Sequence, residues 1–149
     1  MTEDSDLLAY GCEKVLFKLE NEGYVDEISI KSLPECKDLK FTNFSNEIFL
    51  TFCILCGCDY FKLEKCGAKK AFQIVKEKKD YNEVLLYLKH QNLNINDNIE
   101  KDFEKAFLTF KFQVVFCPLI NKNRYFTDLD DKEFPLIKKY FDDLSFLGE

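Results

Sequence analysis

Three acids and a run of lysines are the residues of this chain whose types and spacing could do chemistry. Asp4 and Asp6 form an Asp-x-Asp pair near the amino terminus, and Asp59 follows an apolar stretch that stops at Gly57. In extended backbone, residues i and i+2 point the same way, so Asp4 and Asp6 could face one cation together. Hard cations such as Mg²⁺ take oxygen ligands and keep several waters, so a few carboxylates suffice. A solvated acidic terminus has the same sequence signature. Asp59 falls just past the carboxyl end of an expected helix, where the dipole disfavours a lone anion. A nearby cation would remove that penalty; an exposed loop acid is the plainer alternative.

From Phe61 to Lys79 seven lysines (Lys62, Lys65, Lys69, Lys70, Lys76, Lys78 and Lys79) stand against Glu64 and Glu77. Cys66-Gly67 reads as a tight turn, and Ala68 to Glu77 has a helical pattern. Backbone N–H groups at the start of such a helix, beside lysines, suit a phosphate. A solvated lysine face on an ordinary helix is the other reading. Cys53, Cys56, Cys58 and Cys66 have metal-box spacing. A closed zinc site needs four converging ligands, whereas Cys53 and Cys56 fall on an apolar helix face, where free Cys behaves as a small hydrophobe. His90 is the only histidine and falls in an expected loop, which argues against a His-based triad or metal cage. Neither a P-loop nor a Gly-x-Gly-x-x-Gly occurs.

The totals set bounds on these readings. A length of 149 residues suits one domain with a real core, and 16 Phe and 7 Tyr supply aromatic packing volume. A formal charge of −6 excludes a protein coated in positive charge, so any nucleic-acid binding must come from a local patch. Seven cysteines after an acidic start imply reduced, intracellular thiols rather than a secreted disulfide framework. The apolar run from Ile48 to Cys58 is too short to span a membrane.

The elements that must position these residues can be placed in order. Lys14–Leu19 and Tyr24–Ile30 read as the strands of a hairpin around Asn21-Glu22-Gly23. Residues 31–43 read as connector. Ser45 is the expected N-cap of a helix with Glu47 in its first turn and Ile48, Phe49, Phe52, Cys53 and Cys56 on one face. Asp80 should cap a helix through Lys89, with a polar loop over 90–96. Asp97 or Asn98 should open a helix over Ile99–Phe112 with Phe103, Ala106, Phe107 and Phe110 inward. Val114-Val115-Phe116 reads as a buried run, Asn121-Lys122-Asn123 as a turn, and Lys132–Leu144 as a final helix. The aromatic stripes read as core rather than base-stacking platforms.

In this order, the pieces resemble the XPG/flap-endonuclease superfamily of structure-specific nucleases, on its 5′-to-3′ exonuclease branch. The resemblance rests on Thr2-Glu3-Asp4-Ser5-Asp6-Leu7-Leu8-Ala9-Tyr10-Gly11-Cys12 and on Cys53-Ile54-Leu55-Cys56-Gly57-Cys58-Asp59-Tyr60. It continues through Gly67-Ala68-Lys69-Lys70-Ala71 and Phe112-Gln113-Val114-Val115-Phe116-Cys117-Pro118. It implies an α/β fold: a mostly helical part of the nuclease core with a β-hairpin, plus a helix-two-turn-helix DNA-binding element. It implies regions at 1–44 (core remnant), 45–92 (DNA-binding) and 93–149 (helices packing on the core). By this resemblance Asp4, Asp6 and Asp59 match catalytic, metal-binding carboxylates for Mg²⁺ or Mn²⁺. Lys62, Lys65, Gly67, Lys69 and Lys70 match the duplex grip, with K⁺ at the hairpin. The implied partners are double-stranded DNA with 5′ ends or flaps and mismatch-repair or replication proteins, in the nucleus. The family's opening strand, helical arch and other active-site carboxylates have no counterpart in these 149 residues, so the resemblance also implies little cleavage by this chain alone. Lys65 stands where the family pattern has Gly, and Cys117 where it has Asp.

Overall fold

A computed structural model of the chain describes residues 2–91, 98–128 and 144–148. Among the described residues the fold is mostly helical with two small antiparallel hairpins, in keeping with the α/β expectation. A short helix α1 (Asp6–Ala9) precedes strands β1 (Lys14–Phe17) and β2 (Asp26–Ser29). Their register pairs Val15 with Ile28 and Leu16 with Glu27. The strands are shorter than expected because Lys18 takes a left-handed φ of +52°, which breaks the ladder. The connector holds a 3-10 turn over Ile30–Glu35.

Helix α2 (Asn46–Cys56) begins where its sequence says it should: the Ser45 hydroxyl accepts the Ile48 N–H at 3.2 Å. It ends at Gly57, whose φ of +107° suits a residue without a Cβ. Helices α3 (Ala68–Lys78), α4 (Tyr81–Gln91) and α5 (Ile99–Phe112) pack with α2. Asp80 accepts the Asn82 and Glu83 N–H groups at the head of α4. The core lies where α2 and α5 meet α3 and α4: Ile54, Leu55, Ala71, Val75, Val84, Leu88 and Phe103 are fully enclosed there. A smaller cluster joins Leu108 and Phe112 to Leu147. The Thr109 hydroxyl donates to the Lys105 carbonyl at 2.9 Å and reaches that of Phe146 at 3.4 Å, tying the 3-10 turn Ser145–Leu147 to α5.

Several expectations are corrected. His90 is exposed in the last turn of α4, not in a loop, because the apolar spacing of Val84, Leu85 and Leu88 carries the helix past Lys89. Val114–Phe116 is not a buried run. It belongs to β3 (Val114–Cys117), which pairs with β4 (Lys122–Tyr125) and leaves Phe116 exposed. The turn there comprises residues 118–121, and Lys122 and Asn123 are already in the strand. Most of the expected loop at 90–96, and residues 132–143 of the expected final helix, lie outside the described residues. Among the described residues no helix is long and apolar enough to cross a membrane.

Candidate metal and nucleic-acid site

Asp4 and Asp6 are not an extended pair. Asp6 opens α1, and the Asp4 carboxylate turns back to accept the Asp6 N–H at 2.9 Å. The Thr2 hydroxyl accepts the Asp4 N–H at 2.9 Å in the same way, so two side chains in succession curl the backbone. The Thr2 N–H in turn donates to the Leu16 carbonyl at 2.9 Å, which fastens this coil to β1. Asp4 is exposed and Asp6 half-buried.

Asp59 sits at the tip of a tight turn immediately after α2. Cys58 and Phe61 exchange backbone hydrogen bonds at 2.9 and 3.3 Å, which leaves Asp59 and Tyr60 as the loop between them. Phe61 is anchored in the core with its ring 5.3 Å from that of Phe103. An exposed carboxylate is thus carried on a stiff mount. The turn opens into a groove of about 540 Å³ that Asp59 shares with Lys62, Lys65 and Gly67. Lys69 and Lys70 lie exposed in the first turn of α3, beyond the groove lining. Gly67 supplies no side chain to cap α3, so the helix's opening N–H groups lack a side-chain partner. Lys65 holds a φ of +56°, the conformation a glycine would adopt without strain. Among the described residues none of Lys62, Lys65, Lys69 or Lys70 forms an ion pair.

The structure brings the amino-terminal acids and Asp59 into one electrostatic neighbourhood. Burial raises the pKa of Asp6, and the negative charges of Asp4 and Asp59 raise it further. Tyr10 is the joint that makes this possible. Its ring packs 4.8 Å from Phe110 and 5.6 Å from Phe126, and its hydroxyl donates to the Gln113 side-chain carbonyl. Tyr60 packs edge-on against Phe110 at 5.6 Å. Helix α5 therefore holds both the segment bearing Asp6 and the turn bearing Asp59. Burial, the adjoining Tyr60 hydroxyl and the charges of Asp6 and Asp4 all raise the Tyr10 pKa. Neither Tyr10 nor Gln113 stands out in the sequence: their partnership spans most of the chain and has no local pattern.

Carboxylate oxygens are the right donors for a hard divalent cation. Their number and spacing are not enough: among the described residues no group of three or more His, Cys, Asp or Glu converges closely enough to hold a metal ion. Cys53, Cys56, Cys58 and Cys66 form no such group either, and burial raises the pKa of each thiol. Burial pushes the Cys53 thiol up to about 12, with Cys56 and Asp6 adding to it. Burial likewise pushes Cys56 up to about 11.

The sequence pattern of the XPG I-region matches residues 1–59. Exonuclease 1 of Arabidopsis thaliana is 36% identical over 132 residues, covering 88% of this chain and 18% of that protein. Exonuclease 1 of Danio rerio is 39% identical over 129 residues, covering 82% of this chain and 16% of the relative. Exodeoxyribonuclease 1 of Saccharomyces cerevisiae is 34% identical over 127 residues, covering 82% and 18% respectively. The chain thus spans less than a fifth of the length of these relatives. With the I-region at its start and the likeness to exonuclease 1 carried across most of the remainder, the chain belongs to the XPG/flap-endonuclease superfamily of nucleases.

Proposed function

We propose that this chain is part of a divalent-metal-dependent 5′-to-3′ DNA exonuclease and flap endonuclease that acts in DNA repair and replication in the nucleus. One observation carries the reading: Asp6 feels both Asp4 and Asp59, and Asp59 borders a groove shared with Lys62 and Lys65. Acids within one another's field, beside unpaired cations, suit a phosphodiester whose cleavage needs both negative ligands and a grip on the backbone. Asp4, Asp6 and Asp59 would hold part of the coordination of Mg²⁺ or Mn²⁺, which when bound supplies Lewis acidity and an activated water. Lys62, Lys65, Lys69 and Lys70, with the backbone at Gly67, would hold the phosphates of duplex DNA in a helix-two-turn-helix element, with K⁺ at the hairpin. Mismatch-repair or replication proteins are the partners this reading implies.

Because the three acids do not by themselves converge on one ion, the 149 residues alone should bind Mg²⁺ weakly and cleave little. The same observation favours a second reading, a non-catalytic module that binds duplex DNA or a repair partner. Binding of a 5′-recessed duplex, followed by fluorescence anisotropy across a salt series, tests what both readings share. Lys69→Ala with Lys70→Ala should weaken binding for every sequence and lower the salt slope by about 2. An unchanged slope would remove the lysines from the grip. Separating the readings takes a Mg²⁺-dependent cleavage assay on the chain joined to the amino-terminal portion of an exonuclease 1 relative. Cleavage that Asp59→Ala abolishes supports the enzyme; an inert but DNA-binding fusion supports the module.

A further inference from the structure

A second groove, of about 720 Å³, opens at the far end of the α2–α3 pair. It runs between the segment leading into α2 and the carboxyl end of α3, about 16 Å along α2 from the Asp59 turn. Two aromatic rings are among its lining residues. The Phe44 and Phe72 rings lie nearly parallel at 23°, with centroids 5.8 Å apart, and both are half-buried. Phe41 braces them from behind, edge-on at 5.2 and 4.9 Å. The rim is cationic: Lys37, Lys40, Lys76 and Lys79 are all exposed, and Asp38 is the one acid among the lining residues. None of these four lysines forms an ion pair among the described residues. Four cations against one anion is a marked local excess in a chain of net charge −6.

Flat apolar faces ringed by cations select a ligand with the complementary parts: a planar hydrophobic body joined to an anion. We propose that this groove binds a nucleotide unit, its base against the part of the stacked Phe44–Phe72 pair that lines the groove and its 5′-phosphate among Lys37, Lys40, Lys76 and Lys79. Base–aromatic stacking tolerates any base, and lysines hold phosphate as point charges. The volume lies in the range that encloses one small ligand rather than a docked helix or strand, which sets a nucleotide above an acidic peptide. The unit could be a free mononucleotide or one residue of a single strand. Its chemistry is the same in both cases. Phe44 and Phe72 pack against the core and leave part of each ring to the groove, where the lysine-bearing segment 37–43 also contributes lining.

Amide NMR of the ¹⁵N-labelled 149-residue chain, in EDTA, tests the assignment by titration with thymidine 5′-monophosphate, thymidine, inorganic phosphate and 5′-phosphorylated hexathymidylate. The mononucleotide should shift amides of residues 40–48 and 72–79, with thymidine and phosphate each about tenfold weaker. Lys40→Gln with Lys76→Gln, at two exposed positions, should weaken nucleotide binding about tenfold. Phe44→Leu should weaken it while leaving the phosphate response unchanged. Lys69→Ala with Lys70→Ala should leave this groove's response as it is. Tighter binding of the hexanucleotide identifies a single strand as the source, and tighter binding of the mononucleotide identifies a free nucleotide. Three results overturn the proposal: no shifts in this groove, indifference to Lys40→Gln and Lys76→Gln, or displacement of the nucleotide by an acidic, phenylalanine-bearing peptide that binds more tightly.

Discussion

Replacing Asp6 with Asn probes whether the three acids share one field. In the folded chain Asp6 holds its proton more tightly than usual, through burial first and then through the charges of Asp4 and Asp59. A folded pKa above the unfolded one means that ionised Asp6 opposes folding. The penalty is complete above the folded pKa, shrinks as pH falls through it, and vanishes below the ordinary value of 3.8. Asn keeps the shape and removes the charge. Asp6 is only half-buried and solvent screens both repulsions, so the gain at pH 7 should be about 0.5 kcal/mol. Urea unfolding in EDTA would read this as a midpoint raised by about 0.25 M, for a slope of about 2 kcal/mol/M. The gain should hold from pH 7 down to the raised pKa of Asp6 and shrink only from there towards pH 3.8. Combining Asp6→Asn with Asp59→Asn should stabilise by less than the sum of the two, by about 0.3 kcal/mol, because each removes the same repulsion. Asp6→Asn that destabilises at pH 7, or a gain that persists undiminished at pH 4, would refute the shared field.

Three further outcomes are expected. Lys65→Gly should stabilise the chain by about 0.5 kcal/mol in the same unfolding assay, since relief of its left-handed backbone outweighs the added freedom of the unfolded chain; a loss of stability would show that Lys65 is held there by contacts. Spectrophotometric titration should show a tyrosine that stays protonated beyond the usual range and disappears in Tyr10→Phe. Because its folded pKa is raised, Tyr10 supports folding below pH 10, and that support should be lost as pH rises further. Iodoacetamide at pH 8 should modify exposed Cys12 and Cys36 well before Cys53, whose thiol is pushed up to about 12. Peptide mass spectrometry reads the order, and early labelling of Cys53 would contradict its burial.

Much of this arrangement was legible in the chain. Ser45 and Gly57 bracket α2 because capping and a positive φ are local events that a few residues decide. The stripe of Phe103, Ala106, Phe107 and Phe110 announced the buried face of α5 for the same reason. The Asp4–Asp6 geometry was misjudged because an Asp side chain can capture the N–H of the second residue on and curl what alternation would extend. Residues Val114–Phe116 looked buried because an apolar run says nothing of which face a neighbouring strand will cover; pairing with β4 left Phe116 in solvent. The Tyr10–Gln113 link and the groove joining Lys37 and Lys40 to Lys76 and Lys79 were invisible, since both depend on segments that only tertiary packing brings side by side.

Helix α2 has the nucleotide-sized groove beside its first turn and the Asp59 turn beyond its last. Because Ile48, Phe49, Leu50, Phe52, Ile54 and Leu55 bury it in the core, the helix keeps the two grooves at a fixed spacing of about 16 Å, like marks on a ruler. A ligand that touched both would have to match that interval.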